Sequence, residues 1–169
     1  MGLFAQPPVA AAQSGQRVDE EYTKKIKEYL QDSRISTELV DHLPASGTVP
    51  TPLKFLGRVV GMPGELTYAK DIVRYYEALD KASPRVSMWK IGTTEEGRDI
   101  VVLAIANEAT IRQLDRYKGM LGALTDPRKT TEAEARRLIG TAKPIYWLTS
   151  GMHSTETGGP EMLIELAYR

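Results

Sequence analysis

The sequence predicts a three-layer α/β fold, a mixed sheet with helices on both faces. Three observations carry this. Residues 85–107, RVSMWKIGTTEEGRDIVVLAIAN, are two apolar runs rich in β-branched residues around a polar turn, the pattern of a hairpin. Apolar residues recur at helical spacing in stretches before and after it. Pro144–Thr149, PIYWLT, is a short apolar run of the kind that forms a central strand covered on both faces. Helices, hairpin, helix, strand and helix in that order make an α/β layer.

The first residues, MGLFAQPPVAAAQSGQ, contain a small-residue stretch, Val9–Gln13, that resembles the end of a secretory signal. It favours a secreted or periplasmic protein over a cytoplasmic one. Residues 1–17 are read as a leader or disordered arm. From Val18 to Asp32 an amphipathic helix is expected, with Val18, Tyr22, Ile26, Tyr29 and Leu30 on one side. Ser36–His42 reads as a short helix stopped at Leu43-Pro44, and the prolines through Pro52 mark an extended loop. Phe55–Val60 reads as a short strand. A helix from Thr67 to Lys81 follows, with Thr67 as its N-cap and Ser83-Pro84 as its end.

The hairpin strands are placed at Val86–Ile91 and Asp99–Ala106, with Gly97 in a left-handed turn position. Glu108–Leu124 reads as helical. So does Thr131–Ile139, where Thr131 and Glu134 have capping-box spacing and Gly140 is a C-terminal stop. Pro160 sits where a first helical turn tolerates proline, and Glu161–Arg169 continues that helix. The helical pattern is still running at Arg169, which leads us to expect a longer natural chain.

Composition narrows the function. The chain has 169 residues, 22 basic and 22 acidic, for a formal charge of zero. That gives no electrostatic case for nucleic acid or for a polybasic membrane patch. No apolar run approaches the roughly 18–20 residues of a membrane span. Cysteine is absent, which excludes disulfides, thiolate metal sites and a cysteine nucleophile.

GMHSTETGGPEM, Gly151–Met162, holds one of only two histidines. An imidazole and a carboxylate, His153 and Glu156, lie three residues apart just past the expected strand end, where α/β sheets open into a crevice. Gly158 and Gly159 are expected to bend the chain before the helix. Nitrogen and oxygen donors in this arrangement suit zinc, which in catalytic sites takes three protein ligands and a water. A third ligand must come from elsewhere. The plainer alternatives are a loop-bonded histidine and a helix-start carboxylate, the latter fitting Glu161 better than Glu156. His42, the other histidine, is expected to contact carbonyls at a helix end rather than bind metal.

Two segments carry a resemblance. KIGTTEEGRDIVVLAI, Lys90–Ile105, resembles the Ile-Gly-x-[Ser/Thr]-x-Glu-Gly-Arg hairpin of the zinc carboxypeptidases, the carboxypeptidase A-like metallopeptidases. KPIYWLTSGMHSTETGGPEMLIELAYR, Lys143–Arg169, resembles that family's third strand, its His-x-x-Glu ligands and the next helix. The resemblance implies that residues 84–169 are the N-terminal part of a catalytic domain preceded by a helical extension over residues 18–83. It implies His153 and Glu156 as the first two zinc ligands, a structural role for Arg98 in its turn, and a peptide substrate. It also implies that the third ligand, the substrate-binding residues and the general-base glutamate lie beyond Arg169, so that no catalytic base is assignable here. Thr155 stands where many members have arginine, and the stretch Asn107–Ala142 is long for the family's crossover. Activity on acyl-amino acids or cell-wall peptides, or a non-catalytic binding module, are the alternatives.

Overall fold

The computed structural model describes residues 15–169. The Val9–Gln13 stretch, and with it most of the expected leader, lies outside the described residues. Helix α1 (Glu20–Tyr29) starts at Asp19, whose carboxylate accepts the Tyr22 N–H at 3.0 Å. Its apolar face carries Tyr22, fully buried with Leu43 and Val59, and Ile26 and Tyr29 pack against that cluster.

Ser36–His42 is not a helix. A single 3₁₀ turn occupies Ser33–Ile35, and residues 38–40 form turns closed by the Thr37 carbonyl. Leu39 and Val40 are exposed, so no buried stripe holds a helix there. Phe55–Val60 is not a strand either. Helix α2 (Pro52–Leu56) takes its first two residues, with Thr51 accepting the Lys54 N–H, Pro52 in the first turn and Gly57 closing the end at φ 78°. Proline at the start and left-handed glycine at the end are helix boundaries, and here they override β-branched composition further on.

Helix α3 (Ala69–Ala82) begins two residues after the expected cap. Thr67 does not cap it, because its N–H goes to Glu161 and its hydroxyl accepts from Arg58. Strands β1 (Val86–Thr93) and β2 (Asp99–Ile105) form the expected antiparallel hairpin, with a bulge between Lys90 and Gly92 and Gly97 at φ 76°. Val86 and Leu103 pack toward Tyr75 and Leu79 of α3. On the opposite face Lys118 lies 5.2 Å over the Trp89 ring, so helices flank the hairpin on both sides.

The expected helix Glu108–Leu124 is two, α4 (Glu108–Ile111) and α5 (Leu114–Leu124). In α6 (Glu132–Ile139) half of the capping box forms. Thr131 accepts the Glu134 N–H at 3.3 Å, and the Glu134 carboxylate binds Arg137. Pro144–Thr149 is the main departure. It is irregular and exposed, with Tyr146 at 89% and Trp147 at 64% accessibility. A strand exists only through bonds to a neighbour, and composition does not supply the neighbour. Among the described residues the sheet has two antiparallel strands, so the chain is mixed α and β, consistent with an incomplete α/β fold.

Helix α7 (Gly158–Tyr168) fastens the molecule together. Ile164 is fully buried with Tyr75, Leu79 and Val86, and Tyr168 touches both apolar clusters. The Tyr168 hydroxyl donates to the Pro44 carbonyl at 2.9 Å, and the Tyr22 hydroxyl donates to Glu165 at 3.0 Å. Helices α1–α3 therefore share their cores with α7.

Candidate metal centre

His153 and Glu156 meet. Nδ1 of His153 lies 2.7 Å from Oε1 of Glu156. With the carboxylate ionised, the imidazole Nδ1–H donates. Local backbone geometry produces the meeting. The Glu156 N–H donates to the His153 carbonyl at 3.0 Å, closing a turn, and the His153 N–H reaches Glu156 Oε2 at 3.3 Å. The hydrogen bond from His153 first, and the backbone N–H next, hold the Glu156 carboxyl below its ordinary range. Both side chains are exposed, at 71% and 51%. Thr155 between them is also exposed.

The turn has a tight neck. Gly151 has φ 74°, and a Cβ there would sit 2.7 Å from Pro160 Cγ. A Cβ on Gly159 would overlap the Ser150 hydroxyl. Ser150-Gly151 and Gly159-Pro160 thus press together and close the base of the loop. Gly158 and Gly159 do not bend the chain ahead of the helix; they are its first turn.

The other candidates lie elsewhere. His42 Nδ1 is 2.5 Å from the Asp41 carboxylate and touches no helix-end carbonyl, because there is no helix end. Arg98 pairs with Glu96 inside the hairpin turn and is largely exposed. Among the described residues no group of three or more His, Cys, Asp or Glu side chains is placed to share a metal. His153 and Glu156 match zinc in donor type, and two donors are one fewer than the three protein ligands of a catalytic zinc site.

Sequence reasoning gave Glu161 a smaller role than it has. It is 6% exposed, and its carboxylate accepts the Gly61 N–H at 3.0 Å and the Thr67 N–H at 2.6 Å. Arg58 Nη1 lies 3.6 Å away. Burial alone would raise this carboxyl, but the bonds from Thr67 and Gly61, with the Arg58 charge, outweigh burial and hold it below its ordinary value. The available signal was a carboxylate heading the apolar stripe Glu161, Ile164, Tyr168, where dipole complementarity alone needs no burial.

No curated protein and no solved structure matches the chain. Residues 72–169, more than half of it, match the family model for zinc carboxypeptidase. That span holds the hairpin turn, the converging His153–Glu156 pair and the α7 anchor, and on this ground the chain belongs to the zinc carboxypeptidase family.

Proposed function

We propose that His153 and Glu156 are the first two protein ligands of a catalytic zinc in a metallocarboxypeptidase that hydrolyses C-terminal peptide bonds. The observation that carries this is the 2.7 Å approach of the imidazole nitrogen to the carboxylate oxygen on an exposed loop of a zinc carboxypeptidase-family chain. Zinc, when bound, polarises a carbonyl and lowers the pKa of a bound water. The chain's own residues prepare for that. The His153–Glu156 turn holds two donors at one point, so neither must be gathered from a distance. Ligation through Nδ1 requires its proton to be given up, and the depressed Glu156 carboxyl stays an anionic donor in mildly acidic solution. Exposure leaves the open side of the pair free for substrate.

The third ligand and the general base are supplied from outside these 169 residues. Consequently the chain alone binds zinc weakly and does not turn over peptide. The test is chelator-competition titration of Zn²⁺ with the chain and with His153→Ala and Glu156→Ala. Each substitution is expected to weaken binding at least about tenfold. Zinc held equally well by both variants refutes the ligand assignment. Assay of the complete protein on free peptides against acyl-amino acids separates peptidase from acyl-amino-acid hydrolase.

A further inference from the structure

Glu161 and the neck of the metal loop form one mechanical chain. One end is the segment 57–67, bounded by Gly57 at φ 78° and closed by turns at Gly61 and Gly64. Both oxygens of Glu161 are committed to backbone N–H groups of that segment, with sequence separations of 100 and 94 residues. Arg58 stiffens it. Its Nη2 donates to Thr67 Oγ1 at 2.6 Å, and its Nη1 is buried with no hydrogen-bond partner beyond the ionic approach to Glu161. The clamp thus ties residues 58, 61 and 67 to the first turns of α7.

From there the path to the ligands is steric. Gly159 and Pro160, immediately before Glu161, lie against Ser150 and Gly151 so closely that neither glycine has room for a methyl group. The loop between these contacts carries His153 and Glu156. Atoms already in contact cannot approach further, so a shift of Gly159 and Pro160 toward Ser150 and Gly151 displaces them.

We propose that Glu161 is a positioning residue for the metal loop. Clamped by Gly61, Thr67 and Arg58, it fixes the first turn of α7, and the neck passes that placement to His153 and Glu156. This rests on the assignment of His153 and Glu156 as ligands only for its effect on zinc; the effect on the loop stands apart from it. Residues 57–67 would then be part of the scaffold of the centre.

The test compares the full 169-residue chain with Glu161→Gln, using Leu138→Ala in α6 as a control that lowers stability away from the clamp. Amide hydrogen exchange is read without metal at Gly61, Thr67, His153 and Glu156, and Zn²⁺ affinity is read by chelator competition well below the melting temperature. The introduced side-chain amide turns a donor toward one of the two N–H groups, so one bond is lost. Exchange at all four positions should rise about tenfold, and the zinc Kd should rise by a similar factor. Leu138→Ala should leave both unchanged. Faster exchange confined to Gly61 and Thr67, or a zinc Kd equal to that of the unsubstituted chain, overturns the proposal. If the unsubstituted chain takes no zinc, the ligand assignment fails by itself, and the His153 and Glu156 amides alone decide the role of Glu161. Should Glu161→Gln not fold, Arg58→Lys is read by the same criteria.

Discussion

Two adjacent glycines at the start of α7 offer a sharp test of the loop neck. Neither Gly158 nor Gly159 has a left-handed φ, so the backbone itself admits alanine at both. A Cβ on Gly158 meets nothing within 4 Å. Gly158→Ala should therefore stabilise by about 0.4–1 kcal/mol, through the lost freedom of the unfolded chain. A Cβ on Gly159 lies 2.8 Å from Ser150 Cβ and overlaps its hydroxyl. Carbon atoms in contact rest about 3.5–4.0 Å apart, so Ser150 must retreat by roughly 1 Å. Such overpacking costs about 1–3 kcal/mol. Set against the same entropic gain, Gly159→Ala is a net loss of up to about 2.6 kcal/mol. For a chain of this size 1 kcal/mol moves the melting temperature by about 2–4 °C. Thermal denaturation should show Gly158→Ala melting above the parent and Gly159→Ala below it, several degrees apart. The double variant Ser150→Gly/Gly159→Ala should melt higher than the sum of the two single substitutions predicts, because Ser150→Gly removes the atoms in the way. A Gly159→Ala chain as stable as Gly158→Ala would refute the contact and the closed neck with it.

Ile164 is fully buried between α3 and the hairpin, so Ile164→Ala should cost about 2–5 kcal/mol in urea denaturation. It should do so in a single transition seen alike by probes on α1 and α7, because the two apolar clusters meet at Tyr168. The second expectation concerns acid. The Glu161 carboxyl is held below its ordinary 4.5, so the unfolded state binds that proton more readily. Its stabilisation is complete above about pH 4.5 and is lost as pH falls through the lower folded value. Glu161→Gln should flatten stability against pH across that acid window, measured as melting temperature in buffers of constant ionic strength. An unchanged acid limb would mean that the carboxylate contributes nothing as an anion.

What was legible in the sequence were the features whose cause is local. The hairpin was, because its alternation, its β-branched residues and Gly97 agree with one another. The cores of α1, α3 and α6 were, because each keeps one apolar stripe. The failures lay where a distant partner decides. Thr67 has the composition of a cap, yet a carboxylate 94 residues away takes its N–H. Phe55 and Leu56 suit a strand, but Thr51-Pro52 and Gly57 bound a helical turn, and the Phe55 ring rests 5.3 Å from that of Tyr75. Ile145–Leu148 carries the composition of a central strand and lies exposed, unpaired among the described residues.

The misplaced strand and the convergence of His153 with Glu156 bear on each other. The crevice at a strand's carboxyl end supplied the reason to look at His153, and no such strand precedes it. The two donors still converge, because their meeting depends on a three-residue turn closed by the Glu156 N–H and on a neck that only glycine permits. The pair is therefore set from the helix side, through Pro160 and Glu161, and the sheet is not needed to form it. That separation has a chemical consequence. A loop that gathers two ligands by itself loses little further entropy when a metal arrives, whereas a third ligand from another element must be carried in by the fold. If His153 and Glu156 are ligands as proposed, placement of α7 against residues 57–67 sets the direction in which they face a third, and the buried Glu161 carboxylate, which ties α7 to that segment, takes part in the centre without touching it.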